Sequence, residues 1–299
     1  MKYKYYTCDV FTDTRFGGNP LAVVLDAQGL STEQMQLVAR EFNYSETTFV
    51  LPAEQGHTNK VRIFTREREI PFAGHPNIGT AFTLATIGQL GEINESTNVT
   101  FEEKAGLVPI IIRKNEGQPI WCELKAPETL FLGETVAPER MANILSLALE
   151  DIMTKTHMPQ VASVGLSFIV IELTNRVALE RIHINTNLLA ELEAEGFKPA
   201  LFTYVQSHDE FDLRTRMFAP LGGTIEDPAT GSANCALVAM LSHYKQNDNG
   251  KFSWHIAQGM EMNRPSVLDA RTEKQNGVVT GVWIAGKSVM IREGWIEIH

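Results

Sequence analysis

Two short segments set ionisable and hydroxyl side chains beside glycines, each where a charge-free, apolar stretch begins. One is Gly74-His75-Pro76-Asn77; the other is Glu226-Asp227-Pro228-Ala229-Thr230-Gly231-Ser232. A helix start leaves unpaired N–H groups and the positive end of a dipole, and glycine lets an anion approach the backbone closely. Both segments therefore read as anion-binding turns suited to a carboxylate or an enolate oxygen. His75, Asp227 and Ser232 cluster at these turns. A plainer reading makes Pro76, Thr230 and Ser232 ordinary capping signals. It accounts for either start alone; two glycine-led starts with such neighbours favour a site.

Glu46 lies among Ser45, Thr47 and Thr48, ahead of apolar Phe49-Val50-Leu51, so partial burial is expected. Burial would raise its pKa and make it a usable proton carrier. Against this, a lone Glu before a strand is usually a surface residue, His75 reads equally as a core histidine, and Asp227 before Pro228 as a turn former. Spacing alone does not decide between these readings. No GxGxxG follows a strand, and HExxH and GxSxG are absent. The eight histidines lack ligand spacing, so no metal is expected.

The elements that must position these groups are legible in outline. Helices predicted over Pro76–Ile87 and Ser232–Tyr244 carry small and apolar residues on every side, the mark of a helix buried all round. The first lies in a 22-residue stretch, Ile70 to Gly91, without Asp, Glu, Lys or Arg; two prolines and four glycines rule it out as a membrane span. Further helices are predicted over Thr32–Glu41, Pro138–Leu149 and Leu188–Glu195. Strands are predicted at Tyr5–Phe11, Leu21–Leu25, Thr47–Leu51, Val61–Phe64, Val108–Arg113, Ser167–Leu173, Leu201–Val205, Leu213–Phe218, Val278–Ile284 and Val289–Ile298. Strands outnumber helices without alternating one for one, which indicates an α+β class or a barrel-like sheet rather than a Rossmann layout.

The glycine-led starts also sit in matching contexts. Gly74-His75-Pro76-Asn77 aligns with Gly231-Ser232-Ala233-Asn234, Arg62-Ile63-Phe64-Thr65 with Arg216-Met217-Phe218-Ala219, and Thr48-Phe49-Val50 with Thr203-Tyr204-Val205. The order is the same throughout, at separations of 154 to 157 residues. A duplicated unit is the simplest account, and 299 residues suit two domains. The first half is expected over 1–120 plus a C-terminal strand at about 284–299, with Glu46 and the Gly74-His75 start. The second is expected over 121–283, with Asp227 and the Gly231-Ser232 start. The position matching Glu46 in the second copy is Leu201, so the ionisable groups are not symmetric.

Composition removes other classes. A net charge of −10 argues against nucleic-acid binding, and Arg66-Glu67-Arg68-Glu69 alternates in sign like a solvated face. Cys8, Cys122 and Cys235 are odd in number and far apart, which fits neither a disulfide framework nor a zinc knuckle. The first nine residues hold no apolar core of signal-peptide length, and a cytoplasmic location is expected, with no membrane partner.

Over nearly the whole chain the sequence resembles the phenazine-biosynthesis PhzF family, which has the diaminopimelate epimerase-like fold. The resemblance runs from Asp9-Val10-Phe11-Thr12 and Gly17-Gly18-Asn19-Pro20-Leu21-Ala22-Val23, through Ser45-Glu46-Thr47 and Phe72-Ala73-Gly74-His75-Pro76, to Glu226-Asp227-Pro228-Ala229-Thr230-Gly231-Ser232-Ala233. It implies two pseudo-symmetric halves, each a curled, mainly antiparallel sheet around a central helix, and it suggests a homodimer. Glu46 matches the family's acid/base; His75, Asp227 and Ser232 match residues lining its site; Gly74 and Gly231 match backbone donors. The family's best-understood chemistry is isomerisation of a dihydro-hydroxyanthranilate without any cofactor. Related diaminopimelate epimerases and proline racemases use two cysteines, whose positions fall here on Ala73 and Thr230, and Cys235 lies deeper in its helix.

These readings converge on a cofactor-independent isomerase moving a proton on a small carboxylate-bearing substrate. Glu46 would be the acid/base, with Asp227 and His75 orienting or assisting, and Ser232 with the Gly74 and Gly231 backbone holding the anionic group. The rivals are an amino-acid epimerase or racemase acting on, for example, a hydroxyproline-like substrate, and a non-catalytic small-molecule-binding protein on the same scaffold.

Overall fold

The computed structural model describes residues 1–93, 95–198 and 200–298. Its chain divides into two compact units, Met1–Lys125 with Ala285–His299, and Ala126–Ile284. His299, the last residue of the C-terminal strand expected over 284–299, lies outside the described residues.

The first unit contains β1 (Lys2–Val10), β2 (Asn19–Val24), α1 (Thr32–Phe42), β3 (Glu46–Leu51), β4 (Asn59–Phe64), β5 (Glu69–Ile70), α2 (Gly74–Thr86), β6 (Thr97–Glu103), β7 (Gly106–Arg113) and β8 (Trp121–Lys125). The second contains β9 (Phe131–Thr135), α3 (Pro138–Leu145), β10 (Gln160–Ser163), β11 (Ser167–Glu172), α4 (Arg176–Glu180), α5 (Thr186–Ala194), β12 (Leu201–Gln206), β13 (Leu213–Ala219), β14 (Thr224–Asp227), α6 (Gly231–Tyr244), β15 (Gly250–Gln258) and β16 (Ser266–Gln275). The last strand, β17 (Val278–Glu297), begins in the second unit; its later residues pair antiparallel with β1 in the first, from Val10 opposite Ser288 to Lys2 opposite Glu297.

The strand pairings follow one order in both units. In the first, β1–β2 is antiparallel, β2–β3 parallel, β3–β4 and β4–β5 antiparallel, β4–β6 parallel and β6–β7 antiparallel. In the second, β10–β11 is antiparallel, β11–β12 parallel, β12–β13 and β13–β14 antiparallel, β13–β15 parallel and β15–β16 antiparallel. The fold is thus α+β, sheet-dominated with few helices, in two halves of like topology.

Each unit wraps a helix with no solvent face. Every residue of α2 from Gly74 to Ala85 is buried, against β1, β2, β3, β7 and β8. The helix lies so close to the sheet that a Cβ on Gly79 would sit 2.5 Å from Leu21 Cδ2 and 2.6 Å from Val10 Cγ2. In α6 the residues from Gly231 to Ser242 are buried except Ser232, against β10, β11 and β16. Buried Lys274 on β16 donates to the carbonyls of His243 (3.0 Å) and Lys245 (2.8 Å), closing the C-terminal end of α6. The amphipathic helices cover separate cores: α1 covers Val24, Phe49 and Phe64 through Met35 and Val38, while α3 and α5 pack on Ile169, Ile171 and Leu201. Among the described residues no helix is long and apolar enough to cross a membrane.

Several elements differ from their sequence expectation. The helix expected to reach Leu149 stops at Leu145, because Ser146 takes the left-handed conformation (φ 56°) and its N–H bonds back to Ala142 and Asn143. The two strands expected at 278–284 and 289–298 are one strand; it is entered from β16 by Asn276-Gly277, both at positive φ, as a tight hairpin requires. The buried helices start slightly earlier than the apolar pattern indicates, so Gly74 and Gly231 are the first helical residues.

Candidate active site

In the first unit the structure brings Glu46 and His75 together. Glu46 opens β3 and His75 lies in the first turn of α2; His75 Nε2 is 3.5 Å from Glu46 Oε2, with the histidine side chain 6% and the glutamate side chain 18% exposed. The register between strand and helix is held two residues along, where Thr48 Oγ1 and Thr80 Oγ1 share a 2.8 Å hydrogen bond. Alternation along β3 puts Glu46 and Thr48 on the same face. The Asn19 amide nitrogen lies 3.4 Å from His75 Nδ1. With that nitrogen donating to Nδ1, the ring proton sits on Nε2, toward Glu46. Burial pushes the His75 pKa down to about 3. Burial disfavours an imidazolium, so the ring beside Glu46 is neutral.

The sequence shows the motif of Asn19 but does not mark it as a site residue. The Gly17-Gly18-Asn19 turn places it: Gly18 has φ 61°, and a Cβ there would sit 2.3 Å from the Val10 carbonyl oxygen. Only glycine makes this turn without strain, and the turn delivers fully buried Asn19 to the histidine.

In the second unit Asp227 ends β14, is buried, and accepts a hydrogen bond from Thr230 Oγ1. Thr230 is the N-cap residue of α6 by position, yet its side chain does not cap the helix. Capping is therefore not the role that Thr230 plays. Neither α2 nor α6 has a side-chain cap, whereas Ser31, Asn175 and Asn185 cap α1, α4 and α5. Ser232, the half-buried second residue of α6, has no hydrogen bond from its hydroxyl among the described residues. Gln258, at the end of β15 and fully buried, bonds to Asp227, Thr230 and Asn234. No signal in the sequence pointed to Gln258.

Each helix start has, within its own unit, a supporting frame of the same kind. Arg62 on β4 grips Glu69 on β5 through Nε (2.8 Å) and Nη2 (3.0 Å), and Arg216 on β13 grips Glu226 on β14 through Nε (2.7 Å) and Nη2 (2.8 Å). Each guanidinium also lies over the phenylalanine two residues on, Phe64 at 5.1 Å and Phe218 at 4.8 Å. Both glutamates stand five residues before the helical glycine. Asn77 and Asn234, the aligned asparagines, each donate to the carbonyl of the residue before the helix, Ala73 and Thr230, at 3.0 Å. Glu226 is thus held by its arginine, while its neighbour Asp227 faces Thr230.

Among the described residues no group of three or more His, Cys, Asp and Glu could hold a metal ion. The cysteines are buried, and burial pushes the thiols of Cys8 and Cys235 up to about 12 and raises that of Cys122. None is at a helix start, and none is poised as a thiolate base.

The family model described as phenazine biosynthesis-like protein matches residues 8–294. The chain is 36% identical to an uncharacterized isomerase of Mesorhizobium japonicum, over 98% of each chain. It is 32% identical to the trans-2,3-dihydro-3-hydroxyanthranilate isomerase of Pseudomonas aeruginosa, again over 98% of each. A crystal structure of a PhzF-family phenazine biosynthesis protein from Bacillus anthracis superposes with a TM-score of 0.90 at 26% identity, covering all of both chains. The topology, the paired helix starts and these matches agree: the chain belongs to the phenazine biosynthesis-like family and is an isomerase.

Proposed function

We propose that the chain moves a proton on a small carboxylate-bearing substrate by carboxylate acid/base catalysis, without a cofactor. The observation that carries this reading is the Glu46 carboxylate, partly shielded from solvent, beside the neutral ring of His75 at the start of α2. A carboxylate can take a proton from carbon and return it at another position, provided that it is held still and partly desolvated. The neutral Nε2–H of His75 can orient Glu46 or share its proton. The Gly74 and Gly231 starts offer backbone donors and positive dipole ends to a carboxylate or to charge developing on an enolate. In the second unit Ser232 offers a hydroxyl and Asp227 a carboxylate, the groups that the family resemblance assigns to holding the substrate and assisting the transfer.

Kinship with a trans-2,3-dihydro-3-hydroxyanthranilate isomerase makes cyclic hydroxy-amino carboxylates the first substrates to test. Glu46→Gln preserves shape and hydrogen bonding but cannot cycle a proton. It is expected to lower turnover by about 1,000-fold or more while leaving ligand affinity within about threefold, the pattern of a group acting only in the transition state. Isothermal titration with 3-hydroxyanthranilate as a stable probe and product chromatography check the two halves of that expectation. Deuterium appearing at an amino-acid stereocentre would instead favour the epimerase reading, and binding with no exchange in any compound would favour a binding protein.

A further inference from the structure

We propose that Thr230 and Gln258 form a positioning relay that fixes the Asp227 carboxylate; the inference rests on the role given to Asp227 above. The Gln258 amide spends its whole hydrogen-bonding capacity on this one turn. Its Nε2 donates to the Asp227 carbonyl (2.8 Å) and to Thr230 Oγ1 (3.1 Å), and its Oε1 accepts from the Thr230 N–H (3.1 Å) and from Asn234 Nδ2 (2.8 Å). A primary amide has two N–H donors and two lone pairs, so nothing is left over. The amide cannot flip, because its nitrogen would then face two other donors.

This polarity sets the direction of the next bond. Thr230 Oγ1 accepts from Gln258, so its single proton is directed at Asp227 Oδ2, the contact observed. The chain of donors runs from glutamine to hydroxyl to carboxylate, and it presents Asp227 as an acceptor in one rotamer. Gln258 is itself locked. It lies in β15 between β13 and β16, opposite Thr215 and Ser266. Gly259, at φ 73°, brings the following backbone against Pro228, where a Cβ would meet the Pro228 carbonyl oxygen at 2.6 Å. All of these groups lie in one unit, within the Asp227–Asn234 turn and the strand end behind it.

A filler at Thr230 and a relay at Thr230 make opposite predictions. Thr230→Val keeps the volume and loses the hydroxyl; Thr230→Ser keeps the hydroxyl and loses a methyl. The test compares crystal structures of both variants, alongside turnover of trans-2,3-dihydro-3-hydroxyanthranilate. The relay predicts that Thr230→Ser keeps the Asp227 rotamer and the Oδ2 contact. In Thr230→Val the carboxylate turns away, and kcat falls by about 100-fold, the effect of a roughly 1 Å misplacement, with KM within about threefold. Asp227 in its original place in Thr230→Val, or Thr230→Val more active than Thr230→Ser, overturns the relay. If the wild-type protein does not convert the compound, the substrate reading fails, and the two crystal structures still decide the relay.

Discussion

Burial sets the protonation state of His75, and that has a consequence for stability. Its pKa is about 3 in the folded chain, against about 6.5 when solvated. A depressed base contributes stability that is fully present above pH 6.5 and is lost as the pH falls toward 3. Urea unfolding at pH 7.0 and 4.5 should therefore show a loss in the wild type that is smaller in His75→Gln; equal losses would show that the ring does not titrate this way. At this scale the sequence was informative by residue type and silent about partners. Glu46 and His75 stand out as groups able to carry protons, yet nothing in 29 residues of separation says that they touch. Gln258 was invisible because a lone glutamine at a strand end has no pattern, and only the fold shows that all its donors and acceptors are used.

At the scale of elements, the absence of charge located α2 and α6 better than any motif. A helix apolar on every side must be wrapped by other elements, and both are. Their close approach to the sheets rests on small residues. Gly79→Ala forces a methyl into Leu21 and Val10; overpacking of this kind costs about 1–3 kcal/mol. The variant is expected to lower the unfolding free energy by that amount and, because α2 carries His75, to weaken turnover as well. Thermal and denaturant melts, with turnover in parallel, check it. Strands such as β14 and β16 escaped the sequence reading for a physical reason. β14 is only four residues long and leaves little periodicity, and in ten-residue β16 charged side chains mask the alternation; Glu226 and Lys274 look like surface charges although one is clamped by Arg216 and the other caps α6.

At the scale of the whole molecule, the repeat heard faintly in six aligned residues reappears as an identical succession of strand pairings, each with an arginine–glutamate clamp ahead of a glycine-led helix. The three-residue drift in the repeat separation, from 154 at the arginines to 157 at the glycines, falls between each arginine and its glutamate. The clamps differ in depth: the side chains of Arg216 and Glu226 are 9% and 13% exposed, those of Arg62 and Glu69 20% and 18%. Removing one partner of a buried pair strands the other charge, so Arg216→Met should cost about 3 kcal/mol. Arg62→Met should cost less, and adding Glu226→Leu to Arg216→Met should recover part of the loss; equal effects in the two units would contradict this.

The central claim, that one carboxylate carries the proton, is tested most directly in D2O. Wild-type protein and Glu46→Gln are incubated with trans-2,3-dihydro-3-hydroxyanthranilate and a panel of cyclic and amino-acid carboxylates, and solvent deuterium in the recovered compounds is read by mass spectrometry and NMR. The account predicts isomerised, deuterated product with the wild type and none with Glu46→Gln, which still binds 3-hydroxyanthranilate. Deuterium incorporation by Glu46→Gln at the wild-type rate would contradict it.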